Sequence, residues 1–318
     1  MSDKTPITLV LFDGNVLLHR AYHAFPQTLM TKTGELTNAT YGFTSTLLTV
    51  IKKLKPTHAV VAFDEKGPTL RAEKYDFYKA NRPKMDDSLA IQIDRTREVV
   101  DALNIPRFNI AGYEADDIIG TIKTRAESEV DGVFIITGDR DLLQLLSDKT
   151  QVIFPARGRQ AEKIFDPDKF IQEYQFLPKQ LIDYKALAGD QSDEIPGVSG
   201  IGPKIATDLI IKYSSVDGIY NHVEEINGSV YDRLIKDKAN ALISKELATI
   251  QLDVPLQFDL EKAKLTDYDQ AKVVELFSQL EFFSLIRRLP KDYIEDIFLN
   301  HVEKKEKEKK VEDQMSLF

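Results

Sequence analysis

The chain has 318 residues, of which 42% are apolar and 29% charged, so it is long enough for one large or two modest globular domains. It contains no cysteine, which excludes disulfides, thiolate nucleophiles and cysteine-based zinc sites. No apolar run reaches the roughly 20 residues of a membrane span. We therefore expect a cytoplasmic monomer with no membrane partner. The net charge of −9 does not exclude a nucleic-acid partner, because acids at a metal site would account for it.

Strand-like and helix-like segments alternate through the first half of the chain. Short runs rich in Val, Ile and Phe predict strands, and the amphipathic runs between them predict helices. The predicted order is strand 7–12, helix 39–54, strand 58–63, helix 88–103, strand 107–110, helix 115–128, strand 133–137, helix 140–146 and strand 151–154. This alternation predicts an α/β fold with a mainly parallel sheet and helices on both faces. From Asp166-Pro167 onwards, residues 168–290 read as short helices joined by Gly and Asn turns.

Nine carboxylates lie in five short clusters, and almost every cluster follows a predicted strand. Because the carboxyl ends of parallel strands meet at one edge of a sheet, we expect these acids to gather there. Like charges repel at short range, so such a cluster needs protons or divalent cations. Oxygen-only ligands suit Mg²⁺ or Mn²⁺, and two such ions about 4 Å apart can clamp a phosphodiester during hydrolysis. The alternative is that the acids are helix caps. The nine residues are Asp13, Asp64, Glu114, Asp116, Asp117, Asp139, Asp141, Asp190 and Asp193.

One conspicuously basic segment, residues 66–84, follows Asp64 in this acidic chain. If the segment is helical, its cations and aromatic rings share one face, and such a face suits single-stranded nucleic acid. The alternative is an ordinary solvated amphipathic helix. The residues of this face are Arg71, Tyr75, Tyr78, Lys79 and Arg82.

A second motif, Ile195-Pro-Gly-Val-Ser-Gly-Ile-Gly-Pro-Lys-Ile-Ala206, indicates a helix-hairpin-helix over 195–212. Gly200 and Gly202 allow the backbone to approach a phosphate closely, and amides at the start of the second helix supply donors. Lys204 adds a positive charge. Such a hairpin grips a duplex backbone without reading sequence.

These motifs together resemble the 5′-nuclease (flap endonuclease) domain of bacterial DNA polymerase I and its stand-alone relatives. The resemblance implies a PIN-like core over 1–166 with a helical arch at about 65–95, and a helical DNA-binding domain over 167–300. It also implies a helix-three-turn-helix module that binds duplex DNA and often a K⁺ ion. The matching stretches are Leu11-Phe-Asp-Gly-Asn15, Tyr41-Gly-Phe43, Ala62-Phe-Asp64, Tyr78-Lys-Ala-Asn-Arg-Pro83, Gly112-Tyr-Glu-Ala-Asp-Asp117, Thr137-Gly-Asp-Arg-Asp-Leu142, Gly189-Asp-Gln-Ser-Asp193 and the Gly200 hairpin.

The resemblance assigns roles residue by residue. It implies that Lys79 and Arg82 contact the scissile phosphate and that Arg20 and Arg71 lie near the substrate. Three positions depart from common family wording: Val16 replaces a small polar residue, Glu194 a frequent Asn and Ile205 a frequent Thr. The implied ligands are Asp13, Asp64, Glu114, Asp116, Asp139 and Asp141 for one metal, and Asp117, Asp190 and Asp193 for a second, with sharing between them.

The last residues form a charged run, 303–313, followed by Gln314-Met-Ser-Leu-Phe318. The final peptide resembles the one by which bacterial replication proteins bind the sliding clamp. In that interpretation Leu317 and Phe318 fill an apolar pocket and Gln314 makes a directional hydrogen bond, with 301–318 as the tether. The alternative is a frayed tail with an accidental apolar end.

The sequence thus predicts a stand-alone, structure-specific 5′ nuclease that removes 5′ flaps or RNA primers from DNA by two-metal catalysis. Two other functions remain open. A PIN-type ribonuclease is disfavoured because such enzymes typically lack the hairpin. A non-catalytic DNA-junction binding factor is disfavoured because binding alone gives no reason to keep nine carboxylates.

Overall fold

The computed structural model describes residues 6–156, 158, 160–265 and 268–289. In this part of the chain a single six-stranded sheet has the order β3-β2-β1-β4-β5-β6. The first five strands pair in parallel, and β6 pairs antiparallel to β5 at one edge. The predicted α/β class and mainly parallel sheet are confirmed, although the edge strand β6 was not predicted. The strands are Thr8–Asp13 (β1), His58–Ala62 (β2), Arg107–Phe108 (β3), Gly132–Ile136 (β4), Thr150–Phe154 (β5) and Lys163–Phe165 (β6).

Thirteen α-helices are present in the described ranges. The predicted helices 39–54, 88–103 and 115–128 are observed with small shifts in their ends, whereas the predicted helix 140–146 is a short 3₁₀ segment, Asp141–Leu145. The helices are Gly14–Ala24 (α1), Asn38–Leu54 (α2), Leu70–Lys74 (α3), Asp87–Ala102 (α4), Ala115–Ala126 (α5), Pro167–Tyr174 (α6), Leu181–Ala188 (α7), Pro203–Tyr213 (α8), Val216–Asn221 (α9), Ser229–Lys236 (α10), Lys238–Ala248 (α11), Gln270–Gln279 (α12) and Phe283–Ile286 (α13).

A hydrophobic core lies on each face of the sheet. One core joins α5 to the helices from α6 to α10, so the predicted helical domain packs directly on the sheet. The other core joins α1, α2 and α4 to α12 and α13 through buried side chains such as Phe43, Phe277 and Phe282. The chain therefore returns to the α/β core after α11. The predicted domain at 167–300 contains a final part, α12 and α13, that belongs structurally to the first domain.

No helix of the described part combines the length and the apolar character required to cross a membrane.

The predicted helical arch differs most from the structure. Helix α3 ends at Lys74, the next helix begins only at Asp87, and residues 76–82 form turns. Pro83 favours an extended conformation at the residue before it, which is incompatible with a helix continuing through Arg82. The predicted single face is therefore wrong: Tyr78 is buried, whereas the Arg82 side chain is half exposed.

Candidate active site

The sheet brings the predicted acids to the carboxyl edge of its central strands. Asp13 is the last residue of β1, which lies between β2 and β4, and Asp64 and Asp139 follow these two neighbours. Glu114 and Asp116 lie at the start of α5. The backbone N–H of Ala115 donates to Asp64 at 2.7 Å, which joins the acids of two different segments.

Short hydrogen bonds fix the orientation of the first carboxylates. The buried hydroxyl of Thr137 donates to Asp13 at 2.6 Å and accepts the backbone N–H of Asp139 at 2.9 Å. The Asp13 carboxylate also caps α1 by accepting the N–H of Val16 at 3.1 Å. Thr137 was not among the predicted site residues because it carries no charge, although it lies in the same motif as Asp139. It connects two strand ends and holds two acids in register.

Desolvation and repulsion from neighbouring acids shift Asp13, Asp116 and Asp141 toward the protonated form. Burial raises the pKa of Asp13 to about 7, against the hydrogen bonds from Thr137 and Val16, and the charge of Asp139 adds to the increase. Desolvation followed by the charges of Asp139 and Asp13 also raises the pKa of Asp116 well above its usual range. Burial raises the pKa of Asp141 to about 6. These carboxyls therefore lack enough positive charge around them to ionise together.

A divalent cation fits this requirement, because the donor set consists of carboxylate oxygens and the acids are desolvated. As arranged in the described part of the chain, no group of three acidic or histidine side chains forms a ready metal site. Basic side chains lie between the acids instead. Lys185 contacts Asp141 and lies 2.6 Å from Asp190. Burial opposes the ionised forms of Lys185 and Asp190. Asp141 and then Asp190 outweigh it for Lys185 and raise its pKa, whereas hydrogen bonds from Lys185 and Ser192 lower the pKa of Asp190 to about 2.

Lys185 was not predicted as a site residue. It lies on α7, five residues before Asp190. Its ammonium contacts both Asp141 and Asp190 and so connects two of the predicted acidic clusters. An isolated lysine in a short helix carries no sequence signal for this position. Only the packing of α7 against the 3₁₀ segment after β4 reveals it.

The arch residues Lys79 and Arg82 extend over the acids. The ammonium of Lys79 lies 2.8 Å from Glu114 and 3.6 Å from Asp193, and the guanidinium of Arg82 lies 2.5 Å from Asp193. Burial lowers the pKa of Lys79, but Glu114, Tyr78 and Asp193 together outweigh this effect and raise the pKa, so Lys79 stays charged. Both cations therefore reach the acidic edge, as the sequence predicts. They come from a turn and not from a helix face.

Arg71 and Asp117 have a different environment from the one predicted. The two guanidinium nitrogens of Arg71 donate to the two carboxylate oxygens of Asp117 at 2.7 Å each, and both side chains are buried. Asp117 also accepts the backbone N–H groups of Glu114 and Gln251, while Arg71 donates to the carbonyl of Thr249. This geometry does not support Asp117 as a metal ligand or Arg71 as a DNA contact. It indicates an ion pair that joins the arch, α5 and the segment after α11.

Tyr78 was predicted to bind DNA with its ring. The structure buries the ring, directs its hydroxyl to Glu114 at 3.3 Å and places the ammonium of Lys79 4.9 Å from the ring centroid. An aromatic ring below an ammonium attracts it electrostatically. Tyr78 therefore supports Lys79, and its ring is not exposed for base stacking.

Arg20 lies on the second half of α1 and packs against Gly138, the residue before Asp139. Its guanidinium donates to the carbonyls of Pro155 at 2.7 Å and Thr137 at 3.4 Å. A Cβ at Gly138 would lie 2.5 Å from the Arg20 side chain, so the glycine is what allows this approach. The arginine is thus held next to the strand end that precedes Asp139, and its contact with the substrate stays a prediction.

The hairpin begins with α7 and continues through the segment 189–202 into α8, so its first helix lies before the predicted span of 195–212. Gly202 is exposed at the start of α8, and a Cβ added there would meet open space. The first turn of a helix leaves N–H groups without intrahelical partners, and Lys204 is exposed beside them. Gly202 and Lys204 therefore present amides and a cation to solvent.

Gly200 has a structural reason for being glycine, with φ +79° and an added Cβ 3.0 Å from the guanidinium of Arg233. The carbonyl of Gly200 accepts a hydrogen bond from Arg233 at 2.7 Å. A guanidinium thus already contacts a carbonyl of the predicted hairpin, and a K⁺ ion that used this carbonyl would have to displace it. The predicted clamp-binding residues Gln314, Leu317 and Phe318 lie outside the described residues.

Comparisons with known proteins agree with this arrangement. A family model described as 5'-3' exonuclease, N-terminal resolvase-like domain, matches residues 8–175, and one described as 5'-3' exonuclease, C-terminal SAM fold, matches 176–271. DNA polymerase I of Caldicellulosiruptor bescii is 41% identical over 283 residues, which are 88% of this chain and 33% of that protein. DNA polymerase I of Bacillus subtilis is 39% identical over 288 residues, 90% of this chain and 33% of that protein. The chain thus spans about a third of the length of these relatives.

Solved structures show the same fold. The bacteriophage T5 5'-exonuclease with bound zinc superposes with a TM-score of 0.61 at 23% identity, over 76% of this chain and 89% of that one. The catalytic core of Rad2 in complex with DNA superposes with a TM-score of 0.56 at 16% identity, over 86% and 88% of the two chains. The mainly parallel sheet, its acidic edge and the helical module are, together with the matching family models, those of a nuclease. Within that class, the chain belongs to the 5'-3' exonuclease family found in the N-terminal part of DNA polymerase I.

Proposed function

We propose that the chain is a structure-specific 5′ nuclease that hydrolyses DNA phosphodiesters at 5′ flaps and at 5′ ends next to duplex, as in the removal of flaps or RNA primers. The observation that carries this proposal is that two features occur together at one edge of the sheet. Desolvated carboxylates lie there in need of cations, and two arch cations, Lys79 and Arg82, lie directly over them.

We further assign the cofactor as two Mg²⁺ or Mn²⁺ ions. Two bound ions would neutralise the attacking and leaving oxygens of the phosphodiester. Asp13, Asp64, Glu114, Asp116 and Asp139 would hold one ion. Asp141, Asp190 and Asp193 would hold the other, with Asp141 moved from the first predicted ion because Lys185 joins it to Asp190. Lys185 would then give up its contacts to Asp141 and Asp190. A K⁺ ion at the hairpin would have to replace the contact of Arg233 with Gly200.

The side chains of this chain supply positioning and charge. Lys79 and Arg82, which contact Glu114 and Asp193, would exchange these carboxylates for oxygens of the scissile phosphate. Their ammonium and guanidinium groups would then stabilise negative charge that grows in the transition state. The exposed amides and ammonium at the start of α8 would grip the phosphates of the duplex arm.

The proposal is tested by incubating the protein with an end-labelled 5′-flap duplex in Mg²⁺ and in EDTA. We expect cleavage near the junction in Mg²⁺ and none in EDTA. Cleavage of RNA in preference to DNA would favour the PIN-type ribonuclease. Tight flap binding without cleavage in Mg²⁺ or Mn²⁺ would favour the junction-binding factor.

Removal of the Lys79 ammonium is expected to slow chemistry more than it weakens binding. Lys79→Ala should lower the single-turnover rate by on the order of 10²-fold, the effect of losing one preorganised electrostatic contact. The measurement is rapid-quench cleavage at saturating enzyme. Lys84→Ala, which removes an exposed lysine from the same segment, serves as the control and should cleave at the wild-type rate. If Lys79→Ala weakens only flap affinity, Lys79 is a tether and not a catalytic residue.

The hairpin is expected to bind the duplex arm without sequence preference. Gly202→Val places its side chain in open space, so the protein should fold normally while the side chain obstructs a DNA backbone. Lys204→Ala should reduce the slope of log affinity against log salt by about 1, as expected for one lost phosphate contact. Fluorescence anisotropy over a salt series, with duplexes of two unrelated sequences, measures both effects. A loss confined to one sequence would contradict a backbone-binding hairpin.

The peptide 314–318 is proposed to bind a bacterial sliding clamp. Its Gln, Leu and Phe fit a pocket that combines apolar contact with a hydrogen bond. Deleting 314–318 should abolish co-migration with the cognate clamp in size-exclusion chromatography and leave cleavage of a short free flap unchanged. Equal clamp binding by the truncated and full-length proteins would exclude this partner site.

A further inference from the structure

Glu194 has an unusual backbone conformation directly after the predicted ligand Asp193. Its φ is +58°, in the left-handed region that glycine, asparagine and aspartate adopt most readily. Glycines provide the other positive φ angles nearby, at Gly189 and Gly197. A glutamate persists in such a conformation only where its surroundings hold it, and this strain is concentrated at functional sites.

The arch holds this glutamate. The backbone N–H of Asn81 donates to Oε2 of Glu194 at 2.8 Å, and the side-chain amide of Asn81 donates to Oε1. Both carboxylate oxygens are therefore used by one arch residue. Asn81 lies in the turn between Lys79 and Arg82, the two cations over the site.

Three further contacts extend this connection. The backbone N–H of Lys79 donates to the carbonyl of Asp193 at 3.2 Å, the Lys79 ammonium lies 3.6 Å from its carboxylate, and Arg82 lies 2.5 Å from it. Lys79 also has a positive φ, +55°. Two strained residues thus face each other across the contact between the arch turn 78–82 and the loop 190–194.

We propose that Glu194 is a positioning residue that latches the arch to the loop 190–194 and so sets Lys79 and Arg82 over the scissile phosphate. The inference rests on the proposed nuclease function. Contacts of Lys79 and Arg82 with carboxylates must change when DNA binds, whereas the bonds between Glu194 and Asn81 involve neither cation. The latch keeps the turn in place while the cations exchange partners.

The structural part of the latch is tested without activity, by hydrogen exchange of the whole protein. Glu194→Asn should relieve the backbone strain, because asparagine tolerates positive φ, but its side chain is too short to reach Asn81 in the same way. We expect faster amide exchange by about tenfold in the arch turn, the order expected from the loss of one or two hydrogen bonds, with no change in the core strands. Glu129→Asn, which changes an exposed glutamate remote from the arch, is the control. Unchanged exchange in the arch turn overturns the latch.

The positioning role is tested by single-turnover cleavage of a 5′-flap duplex. Glu194→Asn should lower the rate about tenfold at saturating enzyme. Asn81→Ala removes only the side-chain bond and keeps the backbone N–H donor, so its effect should be smaller. The double variant should be no slower than Glu194→Asn alone, because that substitution already removes both bonds. In the Lys79→Ala background, Glu194→Asn should have a smaller effect than in wild type. Faster arch exchange with an unchanged cleavage rate overturns the positioning role. A wild-type protein without nuclease activity refutes the proposed function instead, and the exchange experiment still decides the latch.

Discussion

Replacing Asp139 by asparagine is expected to abolish cleavage while flap-DNA binding stays near the wild-type level. Asp139 lies among Asp13, Asp116 and Asp141, and its charge raises the pKa of all three. Asparagine keeps the shape of the side chain but removes an anionic oxygen ligand, so the cleavage rate should fall by on the order of 10³-fold or more. Single-turnover cleavage and anisotropy with the same flap duplex give the two quantities.

The same substitution should stabilise the metal-free protein, because one negative charge leaves a cluster of desolvated acids. A thermal melt in EDTA measures this effect. Asp148→Asn, which neutralises an exposed acid in the turn before β5, is the matched control and should change neither cleavage nor stability appreciably. Near-normal turnover by Asp139→Asn would refute the assignment of the acidic edge as the catalytic site.

Removal of the Asp117 carboxylate is expected to destabilise the fold. Asp117→Ala would remove the bidentate partner of the buried Arg71 guanidinium and leave only Glu114, 3.7 Å away, and breaking a buried pair in this way costs about 3–5 kcal/mol. For a chain of this size the melting temperature should fall by roughly 10 °C. Urea and thermal unfolding measure the loss.

The double variant Arg71→Met, Asp117→Leu should recover much of this stability, since it leaves no uncompensated charge. The exposed pair Lys74 and Glu246 provides the comparison, because Glu246→Ala should cost less than about 1 kcal/mol. A stable Asp117→Ala protein with strongly reduced metal affinity would restore Asp117 to the metal ligands. Loss of stability with normal metal affinity supports its structural role.

Some site residues can be predicted from the local sequence pattern alone. Asp13 and Asp139 follow apolar strand runs, and the parallel pairing of β1 with β4 brings their ends together. Any parallel arrangement of these strands produces the same edge, so the local pattern is sufficient. Gly200 of the hairpin is similarly visible, because its positive φ leaves few other residue types possible.

The amino-acid sequence by itself determined the α/β class, the strand ends that deliver carboxylates, and the hairpin motif, since each depends on neighbouring residues and the regular period of a strand or helix. Tertiary structure alone decided the partners of the charged side chains. Arg71 and Asp117 are 46 residues apart in the sequence, and Lys185 and Asp141 are 44 apart. An acid that pairs with a base has the same charge as an acid that binds a metal, and a base that pairs with an acid has the same charge as one that contacts DNA. Desolvation and the distances between groups decide which partner each charged side chain has. Both are set only when α5, α7 and the arch pack against one sheet edge. For the same reason, Glu194 is an ordinary acid in the sequence and becomes a strained contact of Asn81 only in the folded chain.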